Sequence, residues 1–190
     1  MSVAAVLPPG SWTRDECARM AREGSLDYER FELIEGVLIP KVAKNFPHFR
    51  AVAWLVERLR LIFPGNLRVL QEVPIDIRPE DNPTSDPEPD IGILKTGLDE
   101  LGRRPRPEDL LLVIEVSDST LAFDVSVKAR LYARAGIVDY WVVDINGKRL
   151  IVHREPAAGK YGSIATYSVD DRIAPLAAPQ AQIRVGDLLP

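Results

Sequence analysis

Three residues in the middle of the chain have types and an order that suit phosphodiester chemistry. Asp90 stands at the start of one predicted strand, Glu115 lies inside the next, and Lys128 follows one helix later. Two carboxylates from neighbouring strands form an oxygen-rich site for a hard divalent cation such as Mg²⁺, which commonly takes one or two protein carboxylates. A cation held there could activate a water and offset charge developing on a phosphodiester, with a lysine adding positive charge nearby.

Glu115 is the residue that most needs a partner. It lies within residues 110–116, an otherwise apolar run that predicts a strand buried on both faces. An ionised carboxylate taken out of water normally finds a cation, a donor or a metal. A structural ion pair with Lys128 is the alternative to a metal site, and it would use the same residues.

A helix after this strand is predicted from Val127, Leu131 and Ala135, which are spaced at i, i+4 and i+8, and Gly136 is suited to end it. Three further residues, also four apart, lie along one face of that helix: Asp124, Lys128 and Tyr132. The face begins beside the carboxyl end of the strand, where open α/β sheets usually hold ligands. Two alternatives stay open: an exposed Asp124–Lys128 ion pair of about 0.3–0.5 kcal/mol and a packing role for Tyr132.

The other helices are predicted from caps and apolar stripes. The capping-box spacing of Thr13 and Glu16 predicts a helix over about residues 14–22. Pro47 opens a longer helix with an apolar stripe from Phe49 to Phe63, and Pro64-Gly65 ends it.

Strands are predicted where β-rich runs lie between turn signals. They cover residues 31–39 with a turn near Glu35-Gly36, 67–73, 75–77, 89–94, 110–116, 140–145, 149–154, 161–167 and 182–185. Asn146-Gly147 predicts an antiparallel hairpin, and Glu32 and Glu35 are interpreted from their own stretch as solvated. The pattern predicts one mixed α/β domain of the α+β type over residues 1–190, with helices flanking a mostly antiparallel sheet and residues 1–11 as a loose leader.

Composition limits the classes of partner. The chain of 190 residues has 28 Asp and Glu against 24 Lys and Arg, a net charge of −4, so it has no global basic field for nucleic acid. A nucleic-acid partner would need a local patch, and Arg103, Arg104 and Arg106 form the best cluster, although a solvated loop is the simpler interpretation of them. The single cysteine, Cys17, excludes an internal disulfide. No run is long enough for a membrane span and no secretory signal is visible, so we expect a soluble cytoplasmic protein.

Five motifs now carry a family resemblance. Pro89-Asp90 and Ile114-Glu115-Val116 resemble the Pro-Asp … (Asp/Glu)-x-Lys signature of the PD-(D/E)XK nuclease superfamily, except that Ser117 stands at the lysine position. The Uma2 family of restriction endonuclease-like proteins is similar in that departure and in the rest of its pattern. Its motifs correspond to Phe31–Gly36, Pro89–Ile91, Ile114–Ser119, Asp124/Lys128/Tyr132 and Tyr140–Asp144, and the match runs from about Trp12 to Arg154.

The resemblance implies a restriction-endonuclease-like core and assigns roles to the residues. Asp90 and Glu115 would be the metal ligands for Mg²⁺ or Mn²⁺, and Lys128 would be the catalytic lysine relocated onto the helix. Glu32 resembles the superfamily's extra acid, and Asp124 and Tyr132 would support the site. His48 falls where family members tend to have a histidine, and it has no assigned role.

The leading functional hypothesis is therefore a Mg²⁺-dependent endonuclease that cleaves DNA with a metal-activated water. A homodimer or higher homo-oligomer is expected, because cutting both strands usually calls for two active sites. One alternative is a catalytically silent nuclease-fold protein that binds or assembles, which could leave the three residues apart or plugged. Another is a metal-dependent phosphoesterase acting on RNA or a nucleotide, which a deep closed pocket would favour.

Overall fold

The amino-terminal part folds as a helix followed by a β-hairpin. A computed structural model describes residues 12–41 and 45–189, so the leader predicted for residues 1–11 lies outside the described residues. Thr13 and Glu16 form the predicted capping box at the start of α1 (Arg14–Arg22). A 3₁₀ turn, Tyr28–Arg30, precedes β1 (Phe31–Ile34), which pairs antiparallel with β2 (Val37–Pro40). Gly36 has φ of 76° in the turn, a conformation that suits glycine.

A six-stranded sheet forms the centre of the molecule, in the order β3-β4-β5-β6-β7-β8. Its strands are β3 (Val69–Gln71), β4 (Ile91–Leu94), β5 (Leu110–Ser117), β6 (Asp139–Asp144), β7 (Arg149–Ala157) and β8 (Lys160–Ser168). The β5–β6 pair is parallel and the other four pairs are antiparallel. A parallel neighbour needs a crossover, which the predicted helix after β5 supplies. The mostly antiparallel sheet and the Asn146-Gly147 hairpin are confirmed.

Helices cover both faces of this sheet. One face packs against α2 (Phe46–Ile62), whose buried side includes Leu55 and Leu59. A short helix, α3 (Leu98–Leu101), lies in the connection to β5. The other face packs against a helical segment in three parts: α4 (Leu121–Phe123), a π-helical turn (Asp124–Lys128) and α5 (Ala129–Ala135). Gly136, with φ of 83°, ends α5 as predicted.

The strand predicted over residues 75–77 is wrong, and the strand predicted over residues 67–73 is too long. The backbone N–H of Ile75 donates to Pro87, that of Asp76 to Pro105, and that of Ile77 to the Asn82 side chain. Three donors that bond three separate segments cannot form a ladder, so the stretch is a fixed loop. Two 3₁₀ turns, Asn82–Thr84 and Pro107–Asp109, lie in the connections on either side of β4.

The chain ends in a small antiparallel pair, β9 (Arg172–Ile173) and β10 (Ile183–Arg184), followed by a 3₁₀ turn, Val185–Leu188. The pair and the turn contribute Ile173, Ile183 and Leu188 to the core on the α2 side of the sheet. No helix among residues 12–41 and 45–189 is long and apolar enough to cross a membrane.

Candidate active site

The register between β4 and β5 brings Asp90 and Glu115 together. Ile91 pairs with Ile114 and Gly92 with Val113, so the next position along the ladder sets Asp90 opposite Glu115. Directly opposed residues in an antiparallel pair project to the same face. The Asp90 Oδ2 atom also accepts a hydrogen bond from the Val116 backbone at 2.8 Å. Asp90 is therefore fixed against β5 beside the buried carboxylate.

Lys128 reaches the same place from the helical segment on that face. Its Nζ atom lies 2.9 Å from Glu115 Oε1 and 2.9 Å from Glu32 Oε2, and all three side chains are less than a tenth exposed. The Tyr132 hydroxyl donates to Glu115 Oε1 at 2.8 Å. Interpreting Glu32 as solvated was wrong, because the hairpin folds it into this cluster. The Glu115–Lys128 ion pair offered as an alternative is present, and it lies on the same pocket as Asp90.

Ser117 stands two residues after Glu115, where the nuclease signature has a lysine, and it has a structural role in this site. Its hydroxyl donates to Asp124 Oδ2 at 2.6 Å, and the Thr120 hydroxyl donates to the same oxygen at 2.6 Å. These bonds fix the start of the π-helical turn beside the end of β5. The exposed Asp124–Lys128 pair is wrong: Asp124 and Lys128 are only 3% and 6% exposed, and Lys128 pairs with Glu32 and Glu115.

The amino terminus of α2 forms another wall of the site. Asn45 caps the helix by accepting from the His48 backbone at 3.0 Å, and its amide donates to Asp118 Oδ2 at 2.6 Å. The His48 Nε2 atom lies 3.4 Å from Asp90 Oδ2. The cap was missed because Pro47 marked the helix start, and the side-chain amide of Asn45 three residues before His48 was the available signal. His48 thus acquires a role, since it lies against the same Asp90 oxygen that accepts from the Val116 backbone.

These residues line a pocket of about 130 Å³. Its lining includes seven acidic residues, Glu32, Glu72, Glu88, Asp90, Glu115, Asp118 and Asp124, and two lysines, Lys41 and Lys128. One of the lysines, Lys41, is already paired with Glu88 at 2.6 Å. The described part of the pocket therefore has a marked excess of negative charge, which favours a cation as its occupant.

Burial and this crowding shift the protonation of the buried groups. Burial raises the pKa of Glu115 well above its usual value; Lys128 opposes that shift, while Asp90, Asp124 and Glu32 add to it. Burial likewise raises the pKa of Glu32. Burial alone would lower the pKa of Lys128, but Glu115, Glu32 and Asp124 outweigh it and hold that pKa well above the usual value. Lys128 is therefore an ammonium ion at neutral pH.

The donor set fits a magnesium ion that is bound mainly through water. Within residues 12–41 and 45–189, no three His, Cys, Asp or Glu side chains are grouped as a complete metal site. Mg²⁺ does not need such a group, because it usually keeps several waters and takes one or two carboxylates. Asp90 and Glu115, opposed across the β4–β5 ladder, supply that number.

The arginines of the loop before β5 are not part of this pocket. Arg103 pairs with Asp109 at 2.7 Å, and Arg104 pairs with Asp86. Arg106 is exposed in the same loop. None of the three lines the pocket, so their binding to nucleic acid stays a prediction without support from the site.

Comparison with known proteins gives a family and a fold. A family model named Uma2, described as "putative restriction endonuclease", matches residues 15–186. The crystal structure of a "putative nuclease belonging to DUF820" from Anabaena variabilis is similar with a TM-score of 0.62 and 18% identity, over 83% of this chain and 88% of that one. At that identity the likeness shows the fold alone, which is of the restriction-endonuclease type. No curated protein matches the chain.

Proposed function

Because the chain belongs to the Uma2 family, we propose that it is a Mg²⁺-dependent endonuclease that hydrolyses DNA phosphodiester bonds. The family match supports nuclease activity in general. The observation that carries the proposal further is that Asp90, directly before β4, and Glu115, on β5, line the same acidic pocket, which also contains a buried lysine. A merely structural ion pair would not require the second strand's carboxylate at the same opening.

Asp90 and Glu115 would hold the metal ion. When bound there, Mg²⁺ would lower the pKa of a coordinated water and offset the charge that develops on the phosphate. The protein's part is to fix both carboxylates: the Val116 backbone and His48 position Asp90, and Tyr132 positions Glu115. Such supporting partners set the direction of the ligands and strengthen metal binding.

Lys128 would act as a fixed positive charge. Since the neighbouring carboxylates keep its pKa high, it remains protonated at neutral pH and cannot accept a proton from the attacking water. Its ammonium group instead orients Glu115 and Glu32 and adds positive charge next to the phosphate. Asp124 supports this arrangement by tying the π-helical turn to Ser117 and Thr120.

Calorimetric titration with Mg²⁺ or Mn²⁺, followed by a plasmid-nicking assay, tests the proposal. We expect Asp90→Asn and Glu115→Gln to lose metal binding and to nick at least about a hundredfold more slowly, because even a supporting partner of a ligand is worth 10–100-fold. Asp170→Asn, which removes the same charge at an exposed position outside the pocket, should behave as wild type.

Two results would overturn the proposal. A wild-type protein that binds no divalent ion at millimolar metal and leaves plasmid intact would be a silent nuclease-fold module. Metal binding together with cleavage of RNA or a nucleotide, but not of DNA, would favour the phosphoesterase alternative.

A homodimer, which would allow both strands to be cut, is part of the proposal and is checked by sedimentation of the same samples.

A further inference from the structure

Helix α2 exposes aromatic side chains on the face that points away from the core. Eight large apolar side chains are exposed in the described residues, and the three aromatic ones among them, Phe46, Phe49 and Trp54, all lie on α2, at 71%, 63% and 46% exposure. Scattered exposed apolar residues are ordinary on any protein surface. Three exposed aromatic rings on one helix are a concentration that the core does not explain.

Positive charge lies among these rings. Arg50, Arg58 and Arg60 are exposed on the same helix, where Glu57 is the single acid. The Arg58 guanidinium lies over the Trp54 ring at 5.9 Å from its centroid. None of the three arginines has an ion-pair partner within the described part of the chain. In a chain with a net charge of −4, this basic and aromatic strip stands apart from the rest of the surface.

These exposed aromatic and basic residues of α2 begin next to the candidate active site. Asn45 and His48, on either side of Phe46 in the sequence, both line the acidic pocket. From Phe46 to Arg60 the helix is about 21 Å long, at 1.5 Å per residue. A strand lying along it could therefore continue into the pocket.

Resting on the function proposed above, we propose that a single-stranded segment of the DNA substrate docks on the α2 outer face, defined as Phe46, Phe49, Arg50, Trp54, Arg58 and Arg60. Aromatic rings stack on unpaired bases and arginines contact the phosphates between them, which is the general chemistry of single-strand binding. A duplex offers this face fewer unstacked bases, because its bases already stack on one another. The substrate is then DNA with an unpaired stretch next to the scissile bond.

Binding of fluorescein-labelled single-stranded DNA, measured by anisotropy in EDTA, tests the proposal without any cleavage. We expect Phe46→Ala/Phe49→Ala to weaken binding at least about tenfold, because each lost ring removes a surface on which a base stacks. Ile164→Ala, at an equally exposed apolar position on β8, is the matched control and should bind as wild type. Replacing Arg50, Arg58 and Arg60 with alanine should make the slope of log affinity against log salt shallower by about 0.7 for each phosphate that is no longer neutralised.

Tryptophan emission gives a direct signal of stacking. Trp12 and Trp141 are buried, so Trp54 is the exposed tryptophan that an oligonucleotide can quench. Single-stranded DNA should quench the wild type, and Trp54→Phe should abolish the quenching while retaining most of the affinity.

Several outcomes would overturn the docking proposal: equal affinity of the Phe variants and wild type, tighter binding of the matched duplex than of the single strand, or a preference for single-stranded RNA. Conversion of a dimer to a monomer by the Phe variants, with unchanged DNA affinity, would make this face a contact between copies of the chain.

Nicking by wild type with unchanged binding in the Phe variants defeats only the docking proposal. Binding through the Phe residues without nicking by wild type defeats only the nuclease.

Discussion

Among the single side chains, Ser117 and Lys128 together show where the positive charge next to Glu115 comes from. Ser117 stands where the nuclease signature has its lysine, and its hydroxyl instead anchors Asp124 at the start of the π-helical turn. The turn then returns Lys128 to Glu115 and Glu32 at 2.9 Å from each. The positive charge next to Glu115 therefore comes from the helical segment and not from β5 itself.

Replacing Lys128 with methionine should strongly destabilise the fold. Methionine keeps the length of the stem but leaves two buried carboxylates without their cation, and breaking a buried pair in this way costs about 3–5 kcal/mol. The loss should grow with pH, because Glu32 and Glu115 have raised pKa values in the folded protein and must ionise without a partner as the pH rises above their unfolded values. Urea unfolding at several pH values measures this.

The same variant should gain more stability from Mg²⁺ than the wild type does, since a bound ion would offset the charge that Lys128 no longer neutralises. A ligand at a hundredfold above its Kd adds about 2.7 kcal/mol. Lys160→Met, at an exposed position of β8, is the control and should change neither quantity appreciably. A Lys128→Met protein with wild-type stability at neutral pH would mean that the carboxylates do not depend on this lysine.

Among the secondary-structure elements, those defined by local signals were predicted well. The capping box of α1, the turn at Glu35-Gly36, the Gly136 end of α5 and the Asn146-Gly147 hairpin are all confirmed. Residues 75–77 failed because their backbone donors bond three distant segments. Such partners follow from tertiary contacts and leave no periodic pattern in the sequence.

The residues of the candidate site likewise divide into those that the local sequence predicts and those that depend on tertiary contacts. Glu115 stood out because a carboxylate in an apolar strand must be accounted for, and its register with Asp90 follows from adjacent strands. Glu32 could not be placed from its own stretch, because its burial depends on the hairpin folding against the helical segment more than 90 residues later, with Lys128 as the partner. The support of Asp90 by His48 likewise depends on the position of α2.

The π-helical turn is the element that sets the direction of Lys128. One additional residue per turn lets Asp124 bond Ser117 and Thr120 while Lys128 and Tyr132 both reach Glu115. Such single turns are rare and often occur at functional sites. Because residues four apart lie along one face of a regular α-helix, the π-helical turn changes the rotation of Asp124 relative to Lys128 and Tyr132.

Deleting the exposed Ser126 should therefore break the site. The deletion rotates Asp124 relative to Lys128, so one set of buried bonds is broken, at a cost of about 3 kcal/mol or more, and plasmid nicking should disappear. Thermal unfolding and nicking are measured together. Ser126→Ala, which keeps the register and removes only a hydroxyl bond to the Ala122 carbonyl, should remain close to wild type. Full nicking by the deletion variant would show that the turn does not set the lysine's direction.

Across the whole chain, charge is distributed in a way that separates two parts of the proposed DNA surface. The net charge is −4, and seven acids line the pocket. The α2 outer face has three arginines, and Glu57 is the one acid on the same helix. A phosphate backbone should therefore be attracted along α2 and repelled at the pocket, unless a cation lies between the carboxylates and the phosphate.

Calcium should consequently strengthen DNA binding instead of weakening it. Added salt normally lowers protein–DNA affinity, because it reduces the gain from counterion release. Here Ca²⁺, which accepts the same oxygen ligands as Mg²⁺, should raise the anisotropy-measured affinity for single-stranded DNA at least about tenfold, while NaCl of equal ionic strength should lower it. Glu115→Gln and Asp90→Asn should lose the increase and keep the α2-dependent binding in EDTA. If Ca²⁺ weakens wild-type binding as much as matched NaCl does, no cation links the pocket to the phosphate, and the acidic residues serve the fold alone.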